Sequence, residues 1–261
     1  MPKPIILNLD LDIDSNMKKI VPILLLFLPL FFSGCEPVCD CFKGEGSLTT
    51  EERTLPEIDI VEVRNDVDVI VHIDSIYRMR VTAGSKLIDE ITTTIDGKTL
   101  TIKNKNNCNW IRKFQPVLQV EIWVPSLSQI NYHDATGNLE MLDTLKVPEF
   151  LFQSFASSGN YKLKINAGTA TFTIHNGPSD LYAEGKVNVV YDYNAGFGVM
   201  DCLNIVSDDT YLNNKGTNDM YVQANKVLGV TIEGTGNVYY TGHPQNLTTN
   251  ITGGGKLIPL Q

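Results

Sequence analysis

The stretch Ser157-Ser-Gly-Asn-Tyr-Lys-Leu-Lys-Ile165 decides the fold, because it joins a Gly-Asn turn directly to a strand-like segment. In that segment Tyr161, Leu163 and Ile165 alternate with lysines, and a period of two residues predicts a half-buried β-strand. The same unit recurs through the second half of the chain, with 18 to 22 residues between successive marker glycines. These markers are Gly137, Gly159, Gly177, Gly196, Gly216, Gly236 and Gly254.

A repeat of this length favours a β-solenoid, in which each coil stacks on the next. One coil cannot bury its own apolar face, so a neighbouring coil must present a matching face. Gly permits positive φ and Asn tolerates the left-handed region, so Gly-Asn pairs suit the corners. The sequence therefore predicts an all-β solenoid with coils of about 20 residues. A β-sandwich with hairpin turns is the alternative, since regularly spaced short strands are also typical of sandwiches.

The alternation continues in later coils and assigns side chains to the inside or the outside. The segment from Ala170 to Ile174 alternates apolar residues with threonines. In the next coil Val187, Val189 and Tyr191 alternate with polar residues, so we expect these three to face the interior and Asp192 to face solvent.

The segment before the repeats also has β patterning, of a less regular kind. Apolar residues alternate with polar ones from Val67 to Ile73, and Asp96-Gly97 between two strand patterns is a strong hairpin signal. No linker rich in Pro, Gly or Ser separates this part from the repeats. Residues 55–261 are therefore predicted to form a single domain, with the earlier half as its irregular first coils.

Residues 1–34 have the features of a signal peptide. Lys18 and Lys19 precede an apolar run of thirteen residues, from Ile20 to Phe32, which is too short to span a membrane. Three aspartates lie in the first sixteen residues and do not fit the n-region of a signal, so we expect Met17 to be the true start.

The end of this segment, Phe32-Ser-Gly-Cys35, resembles the lipobox of bacterial lipoproteins. The resemblance predicts lipid attachment at Cys35, followed by a tether and a first strand in residues 35–54. Such an anchor would hold the folded domain in water beside a membrane. An ordinary secretory signal with an incidental Cys35 is the alternative.

The formal net charge of the chain is −9. Affinity for nucleic acid comes mainly from Lys and Arg side chains that neutralise phosphates. We therefore expect no nucleic-acid partner.

Four cysteines besides Cys35 could form two disulfides in three ways, and an exported protein meets an oxidising compartment. Our hypothesis is a bridge between Cys41 and Cys108. Cys202 follows a strand-like segment and is expected to pack as a small buried residue. The spacing of Cys39 and Cys41 does not match that of zinc ligands, so no metal site is predicted.

No catalytic motif is found in the sequence. The four histidines lie far apart, and no metalloprotease, nucleophile-elbow or phosphate-loop pattern occurs, so neither an enzyme nor a cofactor is expected. The alternative is a polysaccharide lyase or hydrolase with carboxylates on adjacent coils. Against it, no arginine follows Arg112, although an acidic sugar would need a strong cation. The candidate carboxylates are Asp192, Asp201, Asp208, Asp209 and Asp219.

Several segments together resemble one known family. They are Cys41-Phe42 with Gly44, Leu55 to Val63, Asp66 to Val69, Leu100 to Lys103, Asn107 to Arg112, Val120 to Leu127, and the later Thr-Gly-Asn and Gly-Thr-Gly-Asn corners. This set, spread over most of residues 41–261, resembles the putative auto-transporter adhesin family with a head GIN domain, whose members are common in Bacteroidetes-type bacteria. The resemblance implies a right-handed β-helix-like fold, distantly similar to pectin-lyase-type solenoids, and an adhesive role. It brings no catalytic or binding residues.

We therefore expect an exported lipoprotein, anchored to the membrane of the bacterial cell envelope, that binds an unknown glycan or protein. Exposed aromatic rings suit such recognition. The same rings could instead form ladders that stabilise the coils. A self-associating envelope-stress or structural module, which would form a homo-oligomer, is a further alternative, because solenoid ends expose unpaired strand edges. The tyrosines concerned are Tyr182, Tyr193, Tyr211, Tyr221 and Tyr239.

Overall fold

Strands build this structure, a computed structural model that describes residues 44–106 and 117–260. These residues contain eighteen strands, one short 3-10 helix at Ile88–Glu90 and no α-helix. The early strands are β1 Leu48–Arg53, β2 Ile60–Arg64, β3 Asp68–Ile73, β4 Arg78–Gly84, β5 Ile91–Asp96, β6 Thr99–Asn104, β7 Leu118–Val124, β8 Gln129–His133 and β9 Leu139–Met141. The later strands are β10 Leu145–Phe155, β11 Asn160–Ile174, β12 Asp180–Asn194, β13 Met200–Asn214, β14 Met220–Gln223, β15 Val227–Ile232, β16 Val238–Thr241, β17 Asn246–Ile251 and β18 Leu257–Pro259.

The strands stack into a β-solenoid of about seven turns, with coils about 20 residues apart. Each coil adds a strand to each of two parallel ladders. The first face holds β9, β14, β16, β18 and the first halves of β11, β12 and β13. The second face holds β8, β15, β17 and the second halves of β10 to β13. Because neighbouring strands of the repeats are parallel, the predicted solenoid is confirmed and the antiparallel sandwich is excluded.

The first coils are not stacked in chain order. β2 pairs with β6 on one side and β8 on the other, and β3 pairs with β7 and β9. Residues 60–73 therefore lie between two segments that come later in the chain. Antiparallel strands extend the sheet at this end. β4 pairs with β7, β1 pairs with the other edge of β4, and β5 pairs with β6. The hairpin predicted at Asp96-Gly97 is confirmed, since it joins β5 to β6 and Gly97 has a φ of 58°.

Alternating apolar side chains fill the interior. Tyr161, Leu163 and Ile165 are at most 1% exposed, and the inward residues between Ala170 and Ile174 are fully buried, as predicted. One continuous apolar cluster runs from Leu55 to Val238. Each coil thus buries the apolar face of the next, which stabilises the fold by roughly 25 cal/mol per Å² removed from water. The residues from Gly44 on form one compact unit.

The inward prediction for Tyr191 is wrong. Tyr191 is 47% exposed, whereas Asp192 is only 3% exposed and lies opposite Phe172 inside the solenoid. The alternation changes phase where β12 passes from the first face to the second, because Val187 and Val190 both face inward. The prediction applied a period of two across this bend, and it therefore placed Tyr191 and Asp192 on the wrong sides of the sheet.

Candidate functional site

An open groove of about 500 Å³ crosses the second face over β12, β13, β15 and β17. Its size lies within the range typical of ligand-binding clefts. Because β12, β13 and β15 beneath it are each paired on both edges, the groove is preformed. Its outward lining residues are Thr171, Tyr191, Tyr193, Tyr211, Asn213, Gly229, Thr231, Thr248 and Asn250.

The groove exists because one outward row lacks a side chain in one coil. This row follows the strand register across five coils, in the order Thr171, Tyr191, Tyr211, Gly229 and Thr248. A Cβ atom on Gly229 would lie 2.8 Å from Cδ1 of Tyr211, so the tyrosine ring reaches over the glycine backbone. Gly229 therefore keeps this position of the row free of a side chain of its own, and the Tyr211 ring occupies part of the space above it.

Tyr191 and Tyr211 form an exposed aromatic platform at the groove. Their ring centroids are 5.5 Å apart with an angle of 19° between the ring planes. Tyr191 is 47% and Tyr211 39% exposed, so both rings keep surface that a ligand can cover. Tyr193 lines the groove in the next row and contacts the His175 ring, with 6.1 Å between centroids.

The groove carries little charge at its surface. Among its lining residues Asp192 has the only carboxylate, and no lysine or arginine is present. Asp192 faces the core, where burial raises its pKa to about 7 although the Cys202 thiol donates to Oδ1 at 3.9 Å. The Oδ2 atom of Asp192 has no hydrogen-bond partner among the described residues. Near Asn213, a salt bridge of 3.1 Å between Lys215 and Glu233 pairs the two opposite charges.

The other predicted tyrosines lie on the first face. Tyr221 and Tyr239 stack with centroids 5.0 Å apart and an interplanar angle of 11°. Tyr182 is 41% exposed and is separated from Tyr221 by the in-register Asp201. Two tyrosine pairs therefore stack between coils, and Tyr182, Tyr191 and Tyr211 keep exposed ring surface, so the two sequence-based interpretations are compatible.

The marker glycines lie at corners where the backbones of successive coils come close together. At six of the seven, a Cβ atom would lie within 3 Å of a carbonyl oxygen of the adjoining coil. Only Gly177 among the seven has a positive φ, of 94°, so close approach rather than left-handed geometry explains most of them. Gly254 is the exception, because Gly253 and Gly255 take the stacked positions in its corner.

A column of Asn and Asp side chains connects successive corners. In each case the side-chain oxygen accepts a hydrogen bond from a backbone N–H in the adjoining coil. The sequence reasoning assigned Asn to turns and missed this role. The available signal was an Asn or Asp directly before the first inward residue of most first-face strands. The acceptors are Asp68, Asn138, Asp180, Asp219 and Asn237, at 2.7 to 3.0 Å.

The candidate carboxylates do not come together in one site. Asp201 lies on the first face, Asp208 forms a 2.8 Å ion pair with a lysine, and Asp209 begins the second-face half of β13. Asp219 accepts a corner hydrogen bond, and Asp192 is inside the solenoid. In residues 44–106 and 117–260, no group of three His, Cys, Asp or Glu residues could hold a metal ion.

Two of the four histidines take part in an aromatic column on the second face. The Phe155 ring lies between those of His133 and His175, with centroid distances of 4.7 and 4.0 Å. Burial and the neighbouring His133 lower the pKa of His175. The column gives these histidines a packing role between coils.

Several predictions fall on residues that the structure does not describe. Cys35, Cys41 and Cys108 lie outside the described residues, so lipid attachment and the disulfide stay predictions. Cys202 is a free buried thiol, as expected. Within the described part of the chain, no helix is long and apolar enough to cross a bilayer.

Several groove residues were not predicted from the sequence as part of a site, among them Gly229, Thr248 and Asn250. Their signal was the period itself, because Tyr191, Tyr211, Gly229 and Thr248 follow one another at intervals of 20, 18 and 19 residues. Placing the coils in register would have aligned these residues in one row.

Comparison with solved structures shows the same fold in proteins from Bacteroides fragilis and Parabacteroides distasonis. A putative adhesin from Bacteroides fragilis matches with a TM-score of 0.75 and 13% identity, over 82% of this chain and 97% of that one. A putative lipid binding protein from Parabacteroides distasonis matches with a TM-score of 0.66 and 19% identity, over 84% and 98%. A putative adhesin from the same species has a TM-score of 0.66 and 16% identity, over 83% and 98%.

The sequence matches no functionally curated protein. A family model described as putative auto-transporter adhesin, head GIN domain, matches residues 58–244. That range spans the early coils from Ile58 on, most of the groove lining and most of the corners. The chain therefore belongs to the family of putative auto-transporter adhesins with a head GIN domain.

Proposed function

We propose that this chain is a non-catalytic binding module of the bacterial cell envelope, which presents the groove of its second face to a glycan or protein. In this proposal residues 1–34 direct export, and lipid on Cys35 holds the domain to a membrane. The observation that carries the binding role is the exposed platform of Tyr191 and Tyr211 beside a preformed groove of about 500 Å³.

The scaffold supports recognition without catalysis. Parallel ladders fix the groove before a ligand arrives, so little conformational entropy is lost on binding. The dispersal of the candidate carboxylates leaves no acid and base poised on opposite sides of a bond. The family of the chain and its structural neighbours, several of them described as putative adhesins, are consistent with an adhesive role.

Adhesion measurements test the binding role. Beads coated with the full-length protein are expected to adhere to mucin-coated surfaces or epithelial cells, and Tyr211→Ala is expected to reduce that adhesion. Tyr221→Ala, on the first face, is the matched control because it also removes one ring of a stacked tyrosine pair. Equal adhesion by wild type and the Tyr211 variant would refute the groove as the binding surface.

The anchor and the enzymatic alternative need separate measurements. Metabolic labelling with an alkyne fatty acid is expected to mark the wild-type chain, and the label is expected to be lost in Cys35→Ser.

Incubation with neutral and acidic polysaccharides tests the enzymatic alternative and is expected to give no cleavage. Cleavage that disappears in Asp201→Asn or Asp208→Asn would establish the lyase or hydrolase instead.

A further inference from the structure

The chemistry of the groove narrows the ligand class, and this inference rests on the proposed function. We propose that the groove binds an uncharged saccharide chain, with one sugar ring seated on the exposed surface of Tyr211, whose ring leans over Gly229. The outward row that contains these two residues then determines which saccharides fit.

The lack of exposed charged side chains in the groove lining disfavours ionic ligands. The chain contains 21 basic and 30 acidic side chains, yet the groove lining contains a single charged residue, Asp192, which faces inward. Acidic sugars would find no cation to pair with, and the net charge of −9 disfavours the approach of polyanions. A basic peptide would equally find no exposed carboxylate in the groove.

The polar lining suits hydroxyl groups. Thr171, Thr231 and Thr248 offer hydroxyls, and Asn213 and Asn250 offer amides. Both groups donate and accept hydrogen bonds, as do the hydroxyls of a sugar. The Oδ1 atom of Asn213 is buried and its Nδ2 donates to Glu233 at 2.9 Å, so the exposed Asn250 supplies the more accessible of the two amides.

The aromatic platform supplies the apolar contact. A sugar ring has an apolar face bordered by hydroxyls, and a tyrosine ring combines an apolar body with a polar tip. Tyr211 leans over Gly229, so a sugar seated against its exposed surface meets ring carbons on one side and Thr248, further along the same row, on the other. Successive residues of one outward row lie about 4.8 Å apart, so a chain of sugars laid across the coils meets one residue of the row after another.

Strand addition by a peptide is not available in this groove. The second-face half of β13 pairs with β12 on one side and β15 on the other, and β15 also pairs with β17. The backbone hydrogen-bonding groups that a peptide strand would use are already occupied at the centre of the groove.

Binding of defined polysaccharides to the full-length protein tests the ligand class. Laminarin, yeast mannan and dextran serve as neutral probes, with polygalacturonate and alginate as acidic probes, in isothermal titration calorimetry. We expect at least one neutral probe to bind and both acidic probes to bind about tenfold more weakly or not at all. Failure of all neutral probes, or acidic probes that bind equally well, would overturn the inference.

Two groove variants test the assigned residues. Tyr211→Ala and Gly229→Val are each expected to weaken binding of the neutral probe about tenfold or more, because one removes the platform and the other places a Cβ atom 2.8 Å from Cδ1 of Tyr211 and displaces that ring. Thermal unfolding checks that both variants fold, and valine at an outward strand position favours β structure. Unchanged affinity in Gly229→Val would overturn the inference, and Tyr221→Ala is expected to bind like wild type.

Adhesion assays separate this inference from the proposed function. If the neutral polysaccharide that binds in calorimetry is added in excess, adhesion that depends on Tyr211 is expected to disappear. Adhesion that depends on Tyr211 but is not inhibited by this polysaccharide would point to a protein ligand, which retains the binding module and overturns the saccharide. Adhesion independent of Tyr211 would overturn both.

Discussion

At the scale of single residues, Asp192 stands out because it interrupts an inward apolar row. It lies in register between Phe172 and Leu212. The pKa of an aspartate carboxyl is ordinarily 3.8, and burial raises that of Asp192 to about 7 in the folded chain. Because the folded state holds the proton more tightly than the unfolded state, this group makes the protein most stable below about pH 4. That stability is lost as the pH rises toward 7.

Asp192→Asn removes this titration from the core. We expect the free energy of unfolding of the variant, relative to wild type, to rise by up to about 4 kcal/mol between pH 4 and pH 8. Urea denaturation of both proteins at pH 4, 6 and 8 measures this difference.

Phe172→Leu provides the control for Asp192→Asn, since it perturbs the adjacent core position without an ionisable group. It is expected to lower stability by a similar amount at every pH. If the difference between Asp192→Asn and wild type is also independent of pH, the buried carboxyl does not titrate in this range and the assignment is wrong.

At the scale of the structural element, the corners explain why glycine recurs. A Cβ atom at Gly216 would lie 2.6 Å from the carbonyl oxygen of Gly196 in the preceding coil. At Gly254 the nearest atom is Cγ2 of Thr235 at 3.6 Å, an ordinary contact. Two glycines that look alike in the sequence therefore meet different surroundings.

These surroundings predict opposite effects of alanine. Gly216→Ala is expected to lower the free energy of unfolding by about 2 kcal/mol or more, because two backbones must move apart. Gly254→Ala is expected to be neutral or to stabilise by up to about 1 kcal/mol, because it restricts the unfolded chain. Thermal and urea unfolding of both variants measure the difference, and equal losses would contradict the close-approach explanation.

Much of each element was predictable because its signals are local. Period-two alternation located the strands around Tyr161 and Phe172, and Asp96-Gly97 located a hairpin. The bend within β12 was not predictable from alternation alone, since strict counting does not register a change of face. A register of about 20 residues from Phe172 would have placed Asp192 inside and Tyr191 in the groove row.

At the scale of the whole molecule, strand partners depend on contacts that the local sequence does not specify. Residues 60–73 have ordinary strand patterns, and nothing in them indicates that β2 lies between β6 and β8. The groove has the same origin, because Tyr211 and Gly229 become neighbours only when β13 and β15 pair. The chemical character of single residues could be predicted from the sequence. Which of them lie together could not, because that depends on the order in which the strands stack.

This stacking order predicts how stability is distributed along the solenoid. β2 is paired on both edges, and its Val61 and Val63 side chains are fully buried. In β17 all six residues are exposed, and β15 is its partner among the described strands. Protection from hydrogen exchange follows paired edges and burial, so we expect amides of residues 60–64 to exchange slowest and those of 246–251 to exchange fastest among the strands.

Hydrogen exchange measured by mass spectrometry, with β15 as the intermediate reference, tests this gradient. β15 is paired on both edges in its ladder but lies next to the last coil, so its exchange rate should fall between those of β2 and β17. If β17 is as protected as β2 in the full-length protein, another surface must cover the terminal coil, because its own pairing cannot account for such protection. Light scattering would then distinguish a second copy of the chain from intramolecular cover, since only association doubles the mass.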